Sequence, residues 1–153
     1  RRQPEAGIRS NVIVGFPGET EEDVAELERF LVAARLDVVG VYGYSDEDGT
    51  EGELLTDKVD PEVIAERVDR LTRLVEELTA QRAEERIGEQ VTVLVEEVDE
   101  ESGEVVGRAA HQGPDVDGVT LLTGEVDDLV VGALVTAEVV GTEGIDLMAE
   151  VRA

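Results

Sequence analysis

Cysteine is absent from the 153 residues, so the chain itself offers no disulfide framework and no thiolate for a metal ion or an iron–sulfur cluster. Tryptophan is absent too, and two Tyr and two Phe bring the aromatics to only 3%, which leaves any core to Val, Leu, Ile and Ala. The single histidine, His111, has no second histidine or cysteine to share a metal with and reads as a surface residue, so no metal ligands are expected. No run approaches the roughly 20 apolar residues that a membrane-spanning helix needs. The start carries no signal-peptide pattern, and the expectation is a cytoplasmic protein without a membrane partner. An initiator methionine is also missing: the chain opens Arg1-Arg2-Gln3 and its one Met is Met148, which predicts a processed or truncated start.

Basic residues are scarce as well. Thirteen Lys and Arg face 38 Asp and Glu, a net charge of -25. Nucleic-acid affinity comes largely from cationic side chains replacing counterions, so direct RNA binding is disfavoured and a basic partner is favoured. The same balance also suits a plain soluble acidic protein.

What is present divides into two regions joined by a helix. Residues 11–16 are a short apolar run closed by Pro17-Gly18, a strand by length and flanks. Thr20 with Asp23 resembles a capping box in which Asp replaces the usual Glu or Gln, and Val24, Leu27, Leu31 and Ala34 recur at helical spacing. Residues 38–44 are a second strand. A strand, helix and strand of this length predict parallel strands, and two such strands are too few to stand alone, so they read as the end of a larger sheet or barrel. Asp60-Pro61-Glu62 opens the longest helix, with an apolar stripe of Ile64, Val68, Leu71, Val75 and Leu78 running toward Gly88. From Gln90 the period becomes two: Val91, Val93 and Val95 alternate with polar residues, and further strands are predicted near 104–110, 119–123, 133–140 and 145–151. Five short strands between Gly- and Asp-rich turns predict a small antiparallel barrel.

Gly15-Phe16-Pro17-Gly18-Glu19-Thr20 lies where a strand gives way to a helix, the place where α/β folds present backbone to ligands. It lacks the Lys-Ser/Thr element of a phosphate loop. The carboxylates of Glu19, Glu21, Glu22 and Asp23 suit the helix dipole but would repel phosphate, so a cationic or neutral ligand fits better. Taken by spacing alone, the two glycines also serve a simple tight turn.

The stretch from Asn11 to Asp23, with Tyr44-Ser45 and Gly49-Thr50, resembles the late barrel segment of the methylthiotransferase family of radical S-adenosylmethionine enzymes. Gly107-Arg108 and Pro114-Asp115-Val116-Asp117-Gly118 resemble the RimO-type branch, which acts on an aspartate of a small-subunit ribosomal protein and carries a C-terminal TRAM domain. Asp115 and Val116 stand where that branch has Glu and Ile, and Gly43 stands where the family often has Thr.

The resemblance implies an α/β plus all-β chain. Residues 1–56 would be the terminal part of a radical SAM parallel β/α barrel, 57–88 a long connecting helix, and 89–153 a five-stranded antiparallel, OB-like TRAM barrel. It implies cofactor-binding roles for Asn11, Ile13, Gly15, Tyr42 and Tyr44, with Ile13 near adenine and Gly15 admitting the ligand to the backbone. It implies substrate-binding roles for Arg108, Asp115 and Asp117, and a basic small-subunit ribosomal protein as partner. Whole members of the family use S-adenosylmethionine and two 4Fe-4S clusters held by cysteines. This chain has no cysteine, so alone it is expected to hold no cluster, to contribute no catalytic residue and to be inactive. Two rival readings remain at this point: a segment of a tRNA methylthiotransferase, which shares both folds, and a non-catalytic TRAM binding module. The charge of residues 88–153, 16 acidic side chains against Arg108 and Arg152, speaks against the tRNA reading.

Overall fold

A computed structural model describes residues 6–152. Arg1, Arg2 and Gln3, on which the expected truncated start was argued, lie outside the described residues.

Strand β1 (Arg9–Val14), helix α1 (Glu21–Ala34) and strand β2 (Val38–Gly43) follow in order, and the two strands pair in parallel with Asn11 beside Gly40 and Ile13 beside Tyr42. The capping box forms with its Asp: the Asp23 amide donates to Thr20 Oγ1 at 3.3 Å, and the Thr20 amide donates to Asp23 Oδ2 at 2.8 Å. Successive side chains on a strand point to opposite faces. Val12, Val14, Val39 and Val41 therefore share one face, where they pack with Val24, Leu31, Leu71 and Val75 of the helices. The opposite face carries Asn11, Ile13 and Tyr42, and among the described residues no layer covers it, Ile13 being 61% and Tyr42 52% exposed.

Helix α2 (Pro61–Glu84) begins with Pro61 at its first position, and the Glu62 amide donates to the cap carboxylate of Asp60 at 2.8 Å. Its 24 residues reach about 36 Å at 1.5 Å each. That length lets one helix serve two cores. Leu71 and Val75 belong to the sheet–helix core, whereas Ala83, three turns further on, belongs to the core of the second region. The chain then turns through Gly88, whose φ of 90° lies in the left-handed region, and the Gly88 amide bonds to the Val139 carbonyl at 2.8 Å.

Strands β3 (Gln90–Val98), β4 (Val105–Ala109), β5 (Thr120–Gly124), β6 (Leu134–Glu143) and β7 (Asp146–Val151) close into a barrel in the order β3-β4-β5-β7-β6. Val93, Val95, Val105, Val139, Leu147 and Ala149 fill it. The antiparallel expectation is corrected at one seam: β5 and β7 run parallel, with Thr120 beside Leu147 and Gly124 beside Val151. The reason is topological. Directions cannot alternate throughout a ring with an odd number of strands, so closure of five forces at least one parallel pair. The loop 125–133 together with β6 supplies the crossover that such a pair needs.

Candidate functional site

The bare sheet face and the loops at its end form one candidate site. Ile13, Phe16, Tyr44, Glu47 and Thr50 border a groove of about 400 Å³. The rings of Phe16 and Tyr44 meet edge to face, with centroids 5.2 Å apart and an interplanar angle of 74°. The Tyr44 hydroxyl donates to Asp46 Oδ1 at 2.9 Å, Lys58 pairs with the same carboxylate, and Lys58 Nζ lies 5.5 Å from the Tyr44 ring centroid. The hydrogen bonds from Lys58 and Tyr44 hold the Asp46 carboxyl below its usual range. Partial desolvation and the neighbouring Asp46 raise Tyr44, which therefore stays a neutral phenol. The groove is thus an apolar, ring-lined slot with the Lys58–Asp46 ion pair beside it and Glu47 at its border. Its chemistry suits stacking and van der Waals contact with a flat heterocycle.

The five residues expected around a cofactor divide between distinct surroundings. Ile13 and Tyr44 border the groove. Asn11 and Tyr42 lie on the same sheet face, closing around Gly40: a β-carbon there would stand 2.5 Å from Asn11 Oδ1 and 2.8 Å from the Tyr42 ring. Gly15 does something else. Its amide donates to Glu19 Oε1 at 2.8 Å, and a β-carbon on it would stand 2.4 Å from Ile64, so on that side helix α2 closes against this glycine. Gly43, where a threonine was the family expectation, faces the same side chain, with Ile64 Cγ2 at 2.9 Å from its would-be β-carbon.

The acidic helix start is partly paired. Glu19 pairs with the buried Arg67 at 2.7 Å, and Glu21 and Glu28 pair with Arg70 at 2.7 and 3.0 Å. Glu19 and Glu21 are thus paired with α2, whereas Glu22 has no cationic partner among the described residues and Asp23 is engaged only by the Thr20 cap.

On the barrel, the three residues expected at a substrate surface have different surroundings. Arg108 lies on the outer side of β4 and its Nε donates to Glu96 at 2.5 Å. Asp115 is exposed, with a φ of 67°. Asp117 turns inward: Oδ2 accepts from the Gly113 amide at 2.9 Å and Oδ1 lies 3.6 Å from Arg9 Nε, at the seam between barrel and sheet.

That seam was not foreseen from the sequence. Asp37, which follows α1, accepts from Arg86 at 2.7 Å and from the Ile8 amide at 2.9 Å, with Arg82 at 3.5 Å. Burial opposes ionisation of Asp37, but the hydrogen bonds from Arg86 and Ile8 and the charges of Arg86 and Arg82 outweigh it, so the carboxyl is held below its usual range. His111 is half-buried against the same group, correcting its reading as a surface residue. Burial and the Arg86 charge depress its pKa to about 4. Nothing in local sequence marks Asp37 and Arg86 as partners, since 49 residues separate them.

Residues 87–151 match the family model described as the TRAM domain. Over 152 residues, 97% of this chain, the sequence is 68% identical to the ribosomal protein uS12 methylthiotransferase RimO of Kineococcus radiotolerans, covering 31% of that relative. The proteins of the same name in Streptomyces avermitilis and Nocardioides sp. are 61% and 62% identical over 97% and 94% of this chain, each covered over 30% of its own length. The chain thus spans about a third of the length of the curated relatives it matches.

Proposed function

This chain is a segment of the RimO-type methylthiotransferase family and carries that family's TRAM domain, and from that premise we propose that it forms the cofactor-wall and substrate-binding part of an enzyme that methylthiolates an aspartate of ribosomal protein uS12. The sheet of β1 and β2 is the terminal part of a radical SAM parallel β/α barrel, its helices outside and its bare face turned to the barrel interior. Helix α2 connects it to the TRAM barrel.

S-adenosylmethionine fits the residues at hand. The apolar slot beside Ile13, Phe16 and Tyr44 has the lining that an adenine ring needs, and Asn11 supplies an amide on the same face. When bound, and cleaved at a cluster, the cofactor supplies the radical chemistry by which an unactivated carbon is functionalised. The 4Fe-4S clusters do not fit here, since the chain has no cysteine to ligate them and any such cluster belongs to another part of the enzyme. What this chain's residues do is hold and orient: Ile13 and the Phe16–Tyr44 pair shape the slot, and Asp46 and Lys58 fix the Tyr44 ring.

The observation that carries the partner is charge. Residues 88–153 hold 16 acidic side chains against two arginines, a balance of -14, and both arginines are already paired with glutamates of the barrel. Such a surface steers toward a basic protein and away from RNA phosphates. The test is a hybrid in which this chain replaces the matching third of the Kineococcus relative. Methylthiolation of uS12, read by mass spectrometry, is the expected result. A hybrid that retains its clusters but modifies tRNA instead overturns the reading.

A further inference from the structure

The loop from β5 to β6 also builds an apolar exposed surface on the barrel. Residues 125–133 return to β3, where the Gly132 amide donates to the Val95 carbonyl at 2.8 Å and the Val95 amide donates to the Ala133 carbonyl at 2.9 Å. Leu129 packs inward against the core. Its neighbours do the opposite: Val130 is 65%, Val131 63% and Leu134 72% exposed. Leu134 continues this surface onto the outer side of the barrel, where it lies beside Leu94 of β3 in the register of β3 with β6.

Three large aliphatic side chains left this bare within a few residues of one another are costly to hydrate and are not required for closure, which Leu129 and the Val95 pairing already provide. Their surroundings are acidic. Asp127 and Asp128 precede them, and Glu96 and Glu97 follow Val95 on the strand to which the loop is tied, all four exposed. The only cation at this edge, Arg108, is paired with Glu96 among the described residues. An apolar centre with an anionic rim fits a basic segment that carries an aliphatic or aromatic side chain between its lysines and arginines.

We propose that Val130, Val131 and Leu134 form the anchoring pocket-face of the TRAM barrel for the basic protein substrate, with Asp127, Asp128 and Glu97 engaging the cations that flank an apolar anchor residue. This rests on the uS12 reading above and adds a place and a second kind of contact to it. Charge alone gives an affinity that salt removes. An aliphatic anchor gives a part of the affinity that salt does not remove, and it sets which basic segment is held.

The test compares this chain with its Val131→Ser/Leu134→Ser and Asp127→Asn/Asp128→Asn variants, each titrated with purified uS12 and with polylysine at low and high salt. Both substitutions are at exposed positions, so circular dichroism should be unchanged. The serine pair should weaken uS12 binding by about tenfold at either salt and leave polylysine binding unaltered. The asparagine pair should weaken both ligands, mainly at low salt. Unchanged uS12 affinity in the serine pair overturns the anchor while leaving the uS12 reading intact. Failure of the unaltered chain to bind uS12 overturns both. Self-association of the unaltered chain in sedimentation, lost in the serine pair, assigns the surface to a second copy and overturns the anchor as well.

Discussion

Ile64 of α2 occupies the space that a β-carbon at Gly15 would need, at 2.4 Å, and it does the same at Gly43 across the strand pair, at 2.9 Å. The two glycines make a notch into which α2 locks, and Gly15 also has a φ of 83° that other residues adopt only at a cost. Gly15→Ala should therefore destabilise the chain by about 2–4 kcal/mol, the sum of left-handed backbone strain and overpacking. Combining it with Ile64→Ala should recover the overpacking part only. Urea unfolding of the two variants measures both terms, and a Gly15→Ala chain as stable as the parent would remove the notch from the account.

The Asp37–Arg86 pair ties the sheet to the end of α2 just before the barrel begins, with side-chain exposures of 10% and 4%. Removing one partner leaves a buried charge uncompensated, so Asp37→Ala should cost about 3 kcal/mol. A double-mutant cycle with Arg86→Ala should show a coupling of about 1–3 kcal/mol. Independent, additive losses would mean that the seam is held by packing and not by this pair.

Acid should loosen the same seam. His111 has a folded pKa of about 4, below its ordinary value, so it is neutral when folded and binds a proton more readily when unfolded. Its contribution is fully present above about pH 6.5 and is lost as pH falls toward 4. The lowered carboxyl of Asp37 acts in the same direction, losing its contribution at still lower pH as it protonates. His111→Gln should flatten the stability profile between about pH 4 and 6.5, by about 1–2 kcal/mol after allowance for solvent around a half-exposed ring. Urea midpoints across that range are the measurement, and parallel profiles for parent and variant would contradict the assignment.

Local chemistry made much of this fold legible in advance. Val91, Val93 and Val95 announced β3 by their alternation, and Asp60-Pro61 announced the start of α2, because strand period and helix caps are written within a few residues. The parallel seam between β5 and β7 was missed because it is a property of the closed ring and of no single segment. The seam residues were missed for a related reason: Asp37 meets Arg86 at a sequence separation of 49, and Arg9 meets Asp117 only once barrel and sheet are docked. Motif resemblance pointed to Asn11, Ile13 and Tyr42, which do share one bare face, but it could not tell that Gly15 answers to Ile64. Nor could it tell that Asp117 faces inward while Asp115 faces solvent.

We propose that the acidic barrel recognises a basic ribosomal protein and not RNA. Titration of this chain with purified uS12 and with tRNA, at several salt concentrations, tests it most directly. Binding to uS12 should weaken as salt rises, since exposed charges are screened over about 8 Å at physiological ionic strength, and tRNA should show no measurable binding. Tighter, salt-sensitive binding to tRNA would contradict it.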